Sequence, residues 1–129
     1  MRFTLILAAL ALTASPAFAF RSVNGMTVVQ TGPQEFAVAY RVVRNETEYW
    51  CAAGDFVIRE LGLPSKTRLY RASPKPRGAG EGIAFTLDAA AAAPGAGLST
   101  FSAGSDDSVS AGHARGSFCN PFEQLFPFD

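Results

Sequence analysis

The chain carries no excess of charge, with 11 Lys and Arg against 11 Asp and Glu in 129 residues. Such a balance leaves no electrostatic footprint for nucleic acid or for an anionic bilayer surface. Metal-ligating residues are scarce too, with 2 Cys and 1 His. A four-ligand zinc site needs close Cys or His pairs, and Cys51 and Cys119 are far apart in the chain. Asp106-Asp107, flanked by Ser105 and Ser108, lacks the spaced carboxylates and distal Glu of a calcium loop and reads as a solvated turn. No Gly-rich stretch joins a strand to a helix, which removes support for nucleotide binding. The absence of a Gly-x-Ser-x-Gly elbow removes support for a serine hydrolase. Beyond the N-terminal segment no apolar run approaches the roughly 20 residues needed to cross a bilayer. The expectation is therefore no metal, no cofactor, no nucleic-acid partner and no membrane insertion.

What is present begins at the N-terminus. Arg2 precedes an apolar run from Phe3 to Leu12, and Ala17-Phe18-Ala19 ends the segment with small residues at the two positions that a signal peptidase reads. Residues 1–19 are expected to be a cleaved export signal, with a mature chain beginning at Phe20. The remaining 110 residues suit a single domain with one core. Removing the segment takes away only Arg2, so the mature chain has 10 basic against 11 acidic residues. The expected location is outside the cytoplasm, periplasmic or extracellular. There an even cysteine count favours a Cys51–Cys119 disulfide over two free thiols or a metal site.

Period-two alternation marks the strands. Val23 to Gln30 and Glu35 to Val43, with Phe36, Val38, Tyr40 and Val42 at every second position, flank a Gly32-Pro33 break as a hairpin would. Asn45 followed by Glu48 is a capping-box pattern. Tyr49, Trp50, Ala53, Phe56, Val57 and Leu61 then form one apolar stripe, and Gly62 with Pro64 supplies a stop. A helix is predicted over about 46–61. Thr67 to Ala72 and Ile83 to Leu87 read as strands around a Pro- and Gly-rich loop. The alanines from 89 onward read as a loop, and Leu98 to Ser102 and Ser108 to Ala114 as weak strands. The expected fold is α+β: an antiparallel sheet of about five strands with one main helix packed on one face.

Two features could bind partners. Arg59, Lys66, Arg68, Arg71, Lys75 and Arg77 form a basic stretch on a neutral chain, although Arg68 and Arg71 cannot share a strand face. Its functional reading is a surface for an anionic polymer or protein of the cell envelope, and its plain reading is a solvated face. The tail holds Phe118, Phe122, Phe126 and Phe128 and is expected to pack on the core once Cys119 anchors it.

The alternative chemistry pairs Cys51, near a helix start that would lower a thiol pKa, with His113 on a downstream strand as base. The strings Trp50-Cys51-Ala52-Ala53 and Leu61-Gly62-Leu63-Pro64 resemble the nucleophile helix of NlpC/P60-like cell-wall cysteine peptidases. That resemblance implies a cysteine hydrolase using Cys51 and His113. The chain departs from it at Ala114-Arg115-Gly116, and no third polar partner follows at strand spacing. Tyr49 to Phe56, Phe85-Thr86-Leu87-Asp88 and Cys119-Asn120-Pro121 together look like a group of small exported bacterial proteins with no assigned activity. This second resemblance implies a fold and a disulfide, and no catalytic residue. The leading expectation is a non-enzymatic structural or binding module.

Overall fold

The structure is a computed structural model and describes residues 18–42, 44–94 and 108–119. Strands β1 (Ala19–Arg21), β2 (Thr27–Gln30) and β3 (Glu35–Val38) precede helix α1 (Glu46–Asp55). Then come β4 (Arg68–Arg71), β5 (Ile83–Thr86), β6 (Val109–Ser110) and helix α2 (Ala111–Phe118). The six strands found among the described residues make one sheet in the order β1-β2-β3-β5-β4-β6, and every neighbouring pair is antiparallel. The α+β class holds, with six strands rather than about five.

The register explains the core. Phe20 faces Val28, Val28 faces Val38 and Val38 faces Ile83, so one buried row crosses four strands. In the next row Phe36 lies opposite Phe85 and stacks on it at 6.0 Å. Helix α1 covers this face, with Trp50 edge-on to Phe85 at 4.9 Å and Phe56 against Phe36 at 4.8 Å. The β1–β2 turn is closed by Ser22 N–H donating to the Met26 carbonyl at 2.9 Å, with Gly25 at φ 81°. That positive φ is what the Asn24-Gly25 pair suits.

The main helix starts where the capping residues place it. Asn45 N–H donates to the Glu48 carboxylate at 2.7 Å, and Glu48 N–H donates to the Asn45 carbonyl at 3.1 Å. Its end differs from the expected 61: α-helical bonding stops at Asp55, and Phe56–Glu60 form a π-helical turn. There Leu61 N–H reaches the Phe56 carbonyl at 3.0 Å, and Gly62 at φ 65° turns the chain away. A single stripe is also too narrow a description, because every residue from Glu48 to Asp55 is buried. The second side of α1 is covered by α2.

Helix α2 overturns the expected strand over Ser108 to Ala114. Only Val109–Ser110 pair with β4, and Ser110 then caps a helix, its hydroxyl accepting from His113 N–H at 3.2 Å. Ala111 and Ala114 recur at helical spacing and are fully buried against α1. Strand β3 ends at Val38 rather than Val43, leaving Tyr40 and Val42 exposed. The alanine run forms a short 3-10 turn (Ala89–Ala91), capped by the Asp88 carboxylate accepting from Ala90 N–H at 3.0 Å. Residues 1–17, the expected strand at 98–102, Asp106-Asp107 and the tail from Asn120 lie outside the described residues.

Candidate functional site: a basic cleft beside the start of the main helix

Arg71 occupies a position that strand alternation reserves for the core. It lies opposite Phe85 in the register, and its side chain is 2 % exposed. A buried cation costs several kcal/mol unless it is paired and hydrogen-bonded, and here the neighbouring loop satisfies it. Nε donates to the Ser73 carbonyl at 2.8 Å and one terminal nitrogen to the Pro74 carbonyl at 3.2 Å. The other terminal nitrogen bonds the Glu46 carboxylate at 2.8 Å. Arg71 thereby fastens the β4–β5 loop to the first turn of α1.

That fastening opens a cavity of about 290 Å³ lined by Arg44, Arg71, Lys75 and Arg77, with Glu46 as its carboxylate. Pro76 and Ile83 add apolar wall. Arg44 pairs with Glu48 at 2.8 Å, and Lys75 Nζ lies 3.7 Å from Glu46. Arg77 donates to the Glu81 carbonyl at 2.8 Å and stacks over the rings of Tyr40 and Tyr49, at 5.2 and 5.3 Å. Three cations from one hairpin and a fourth from the segment before α1 thus meet in one concavity. Held guanidiniums in a partly enclosed site are suited to oxyanions, which they meet with paired N–H donors.

The fold divides the basic stretch. Arg68 points to the opposite face from Arg71, as odd spacing requires, and donates to the Ser108 hydroxyl at 2.8 Å. Arg59 turns to fully buried Asp55, with Nε donating at 2.6 Å, and Arg115 reaches the same carboxylate at 3.2 Å. Val23 N–H donates to it as well, at 2.9 Å. The hydrogen bond to Asp55 raises the Arg59 pKa above its ordinary value; burial works against the rise, and the Asp55 charge adds to it. Arg44 and Glu46 carried no sequence signal as cleft residues, since they join Arg71 only through the packing of α1 on the sheet.

Cys51 is bonded to Cys119, with their Cα atoms 5.0 Å apart. It is fully buried and is the sixth residue of α1, past the first-turn N–H groups that would stabilise a thiolate. His113 sits on α2 rather than on a strand, is exposed, and stands edge-on to Phe118 at 5.3 Å. The structure therefore joins Cys51 to Cys119 and gives His113 an aromatic neighbour. Among the described residues no group of three or more His, Cys, Asp or Glu could hold a metal ion, and no helix is long and apolar enough to cross a membrane. Comparisons with protein-family models, with curated proteins and with solved structures return no match for this chain.

Proposed function

We propose that this chain is an exported, non-enzymatic binding module that acts by recognition at its surface. The observation that carries this reading is the Cys51–Cys119 bond, which occupies the sulfur a cysteine hydrolase would need. Such a bond persists in oxidising compartments outside the cytoplasm, which accords with the signal-like segment at residues 1–19. The buried Trp50 and Cys51 side of α1 belongs to the scaffold, and the open, polar cleft is the part that can meet a partner from the envelope.

The test is intact-mass measurement and thiol titration of protein recovered from its native compartment, under denaturing, non-reducing conditions. A chain starting at Phe20 with no titratable thiol is expected. Met1 retained on exported protein would remove the export signal. Two free thiols, with cell-wall peptide cleavage that Cys51→Ala abolishes, would replace the module with a cysteine hydrolase.

A further inference from the structure

We propose that Arg59 and Arg115, held side by side over the buried Asp55 carboxylate, are a docking point for a carboxylate on an acidic peptide segment of a partner protein. The site lies at the other end of α1 from the cleft and does not rest on it. Charge is the first argument. Arg59 alone meets both oxygens of Asp55, with Nε donating to Oδ1 at 2.6 Å and Nη2 to Oδ2. Val23 N–H adds a donor to Oδ2 at 2.9 Å. Arg115 then arrives from α2 as a second cation, its Nε 3.2 Å from Oδ1. Asp55 neutralises one of these two guanidiniums. Two exposed charges flank the pair: Glu60 follows Arg59 in the chain, and the Arg21 carbonyl accepts from Arg59 at 3.4 Å. Being of opposite sign, they leave the balance at one positive charge, which one carboxylate would neutralise and a dianion would exceed.

Direction is the second argument. Asp55 is fully buried while both arginine side chains reach solvent, so the parts of each guanidinium remote from Asp55 are the solvent-facing ones. Arg59 turns its Nε–Nη2 edge to the carboxylate, which leaves Nη1 on the far side. Arg115 has its Nε beside Asp55, and its terminal nitrogens have no hydrogen-bond partner among the described residues. That free end carries two parallel N–H donors, the fork that fits the two oxygens of a carboxylate. Rigidity is the third. Arg115 follows fully buried Ala114 where the helices cross, and a Cβ built on Gly54 would stand 3.1 Å from the Arg115 backbone nitrogen. Arg59 also lies over the Phe20 ring at 5.0 Å. Holding rotamer-rich side chains in place beforehand lowers the entropy cost of binding. Val23, bonded to the same carboxylate and exposed, adds an apolar contact, which favours a peptide with apolar residues beside its carboxylate over a polyuronate.

The test is NMR of the arginine side-chain Nε–H signals in the oxidised protein, titrated with a capped peptide of alternating leucine and glutamate. The same peptide with glutamine for glutamate, digalacturonate and inorganic phosphate are the comparison probes. Saturable shifts of the Arg59 and Arg115 signals with Kd below about 1 mM are expected for the glutamate peptide. The glutamine peptide should bind about tenfold more weakly, the scale of one charge-assisted contact. Arg115→Gln should weaken the glutamate peptide about tenfold as well, with the melting temperature little changed because Arg59 still satisfies Asp55. Lys75→Gln removes the same charge at the other end of α1 and should leave binding unchanged. Melting temperatures of the variants separate lost binding from lost folding, and the glutamine peptide tests the carboxylate on unaltered protein. The proposal is overturned if the glutamate peptide moves neither signal by about 10 mM, if the glutamine peptide or Arg115→Gln binds like its parent, or if digalacturonate or phosphate binds more tightly.

Discussion

Gly54 of α1 and Ala114 of α2 meet where the two helices cross, and a Cβ built on Gly54 would stand 2.9 Å from the Ala114 Cβ. It would also stand 2.8 Å from the Ala111 carbonyl oxygen, which is backbone and cannot swing aside. Gly54→Ala sets two effects against each other. Alanine favours an exposed helix interior by about 1 kcal/mol, while overpacking a close contact costs about 1–3 kcal/mol. Because the clash includes backbone, the cost should win. We expect Gly54→Ala to lower the urea midpoint with little change in slope; a variant as stable as the parent would mean that α2 does not rest on this glycine.

Trp50 is fully buried against Phe85, yet its indole N–H has no hydrogen-bond acceptor among the described residues. Two substitutions separate its shape from its polarity. Trp50→Ala should cost about 3–5 kcal/mol, as loss of a buried large aromatic does. Trp50→Phe keeps an aromatic contact with Phe85 and deletes a donor whose burial costs about 1–3 kcal/mol, so its penalty should be much smaller. Thermal unfolding of both variants reads the difference. Equal losses would show that the indole N–H is satisfied.

The parts of this fold that were legible in the sequence are those specified over a few residues. Asn45 and Glu48 cap α1, Phe36 and Val38 alternate into the core, and Gly62 takes a positive φ at the helix end. Helix α2 is not legible in the sequence: Gly112 and Gly116 are poor helix formers, and Val109, Ala111 and His113 alternate as strand residues would. What makes it helical is the local Ser110 cap together with the tertiary close approach that Gly54 permits. The cleft was half legible. Arg71, Lys75 and Arg77 stood out as a basic run, and the odd spacing from Arg68 correctly put Arg71 on the other face. That this face is the buried one, and that Glu46 waits there, depends on how α1 docks on the sheet.

Asp55 gives a prediction about asymmetry. It is fully buried, whereas the side chains of its partners Arg59 and Arg115 are 42 % and 41 % exposed. Removing the carboxylate lets both guanidiniums return to water, so Asp55→Ala should lose only its charge-assisted hydrogen bonds, about 1.5–3 kcal/mol. Removing both arginines strands a buried charge with the Val23 N–H as its remaining hydrogen-bond donor among the described residues, and an uncompensated buried charge costs about 3–5 kcal/mol. Arg59→Ala/Arg115→Ala should therefore be less stable than Asp55→Ala in urea unfolding. The opposite order would mean that solvent reaches Asp55.

The disulfide should govern the two ends of α2 differently. Its start is held by the sheet side of the molecule: Ala111 N–H donates to the Thr67 carbonyl and Gly112 N–H to the Ser65 carbonyl, each at 2.8 Å. Ala111 and Ala114 add buried packing against α1. Its end has the Cys119–Cys51 bond and a partly buried Phe118. Closing a loop with a sequence separation of 68 is worth about 4 kcal/mol on the chain-entropy model, a large share of the roughly 5–15 kcal/mol of a small domain. Reduction, or Cys119→Ser, should lower the melting temperature by several degrees and expose the end of α2 before its start. Limited chymotrypsin digestion read by mass spectrometry should then show faster cleavage after Phe118, while hydrogen exchange at the Ala111 and Gly112 amides stays slow. If cleavage after Phe118 is as slow with the bond cut, packing alone holds that end, and the disulfide is not what keeps α2 on α1.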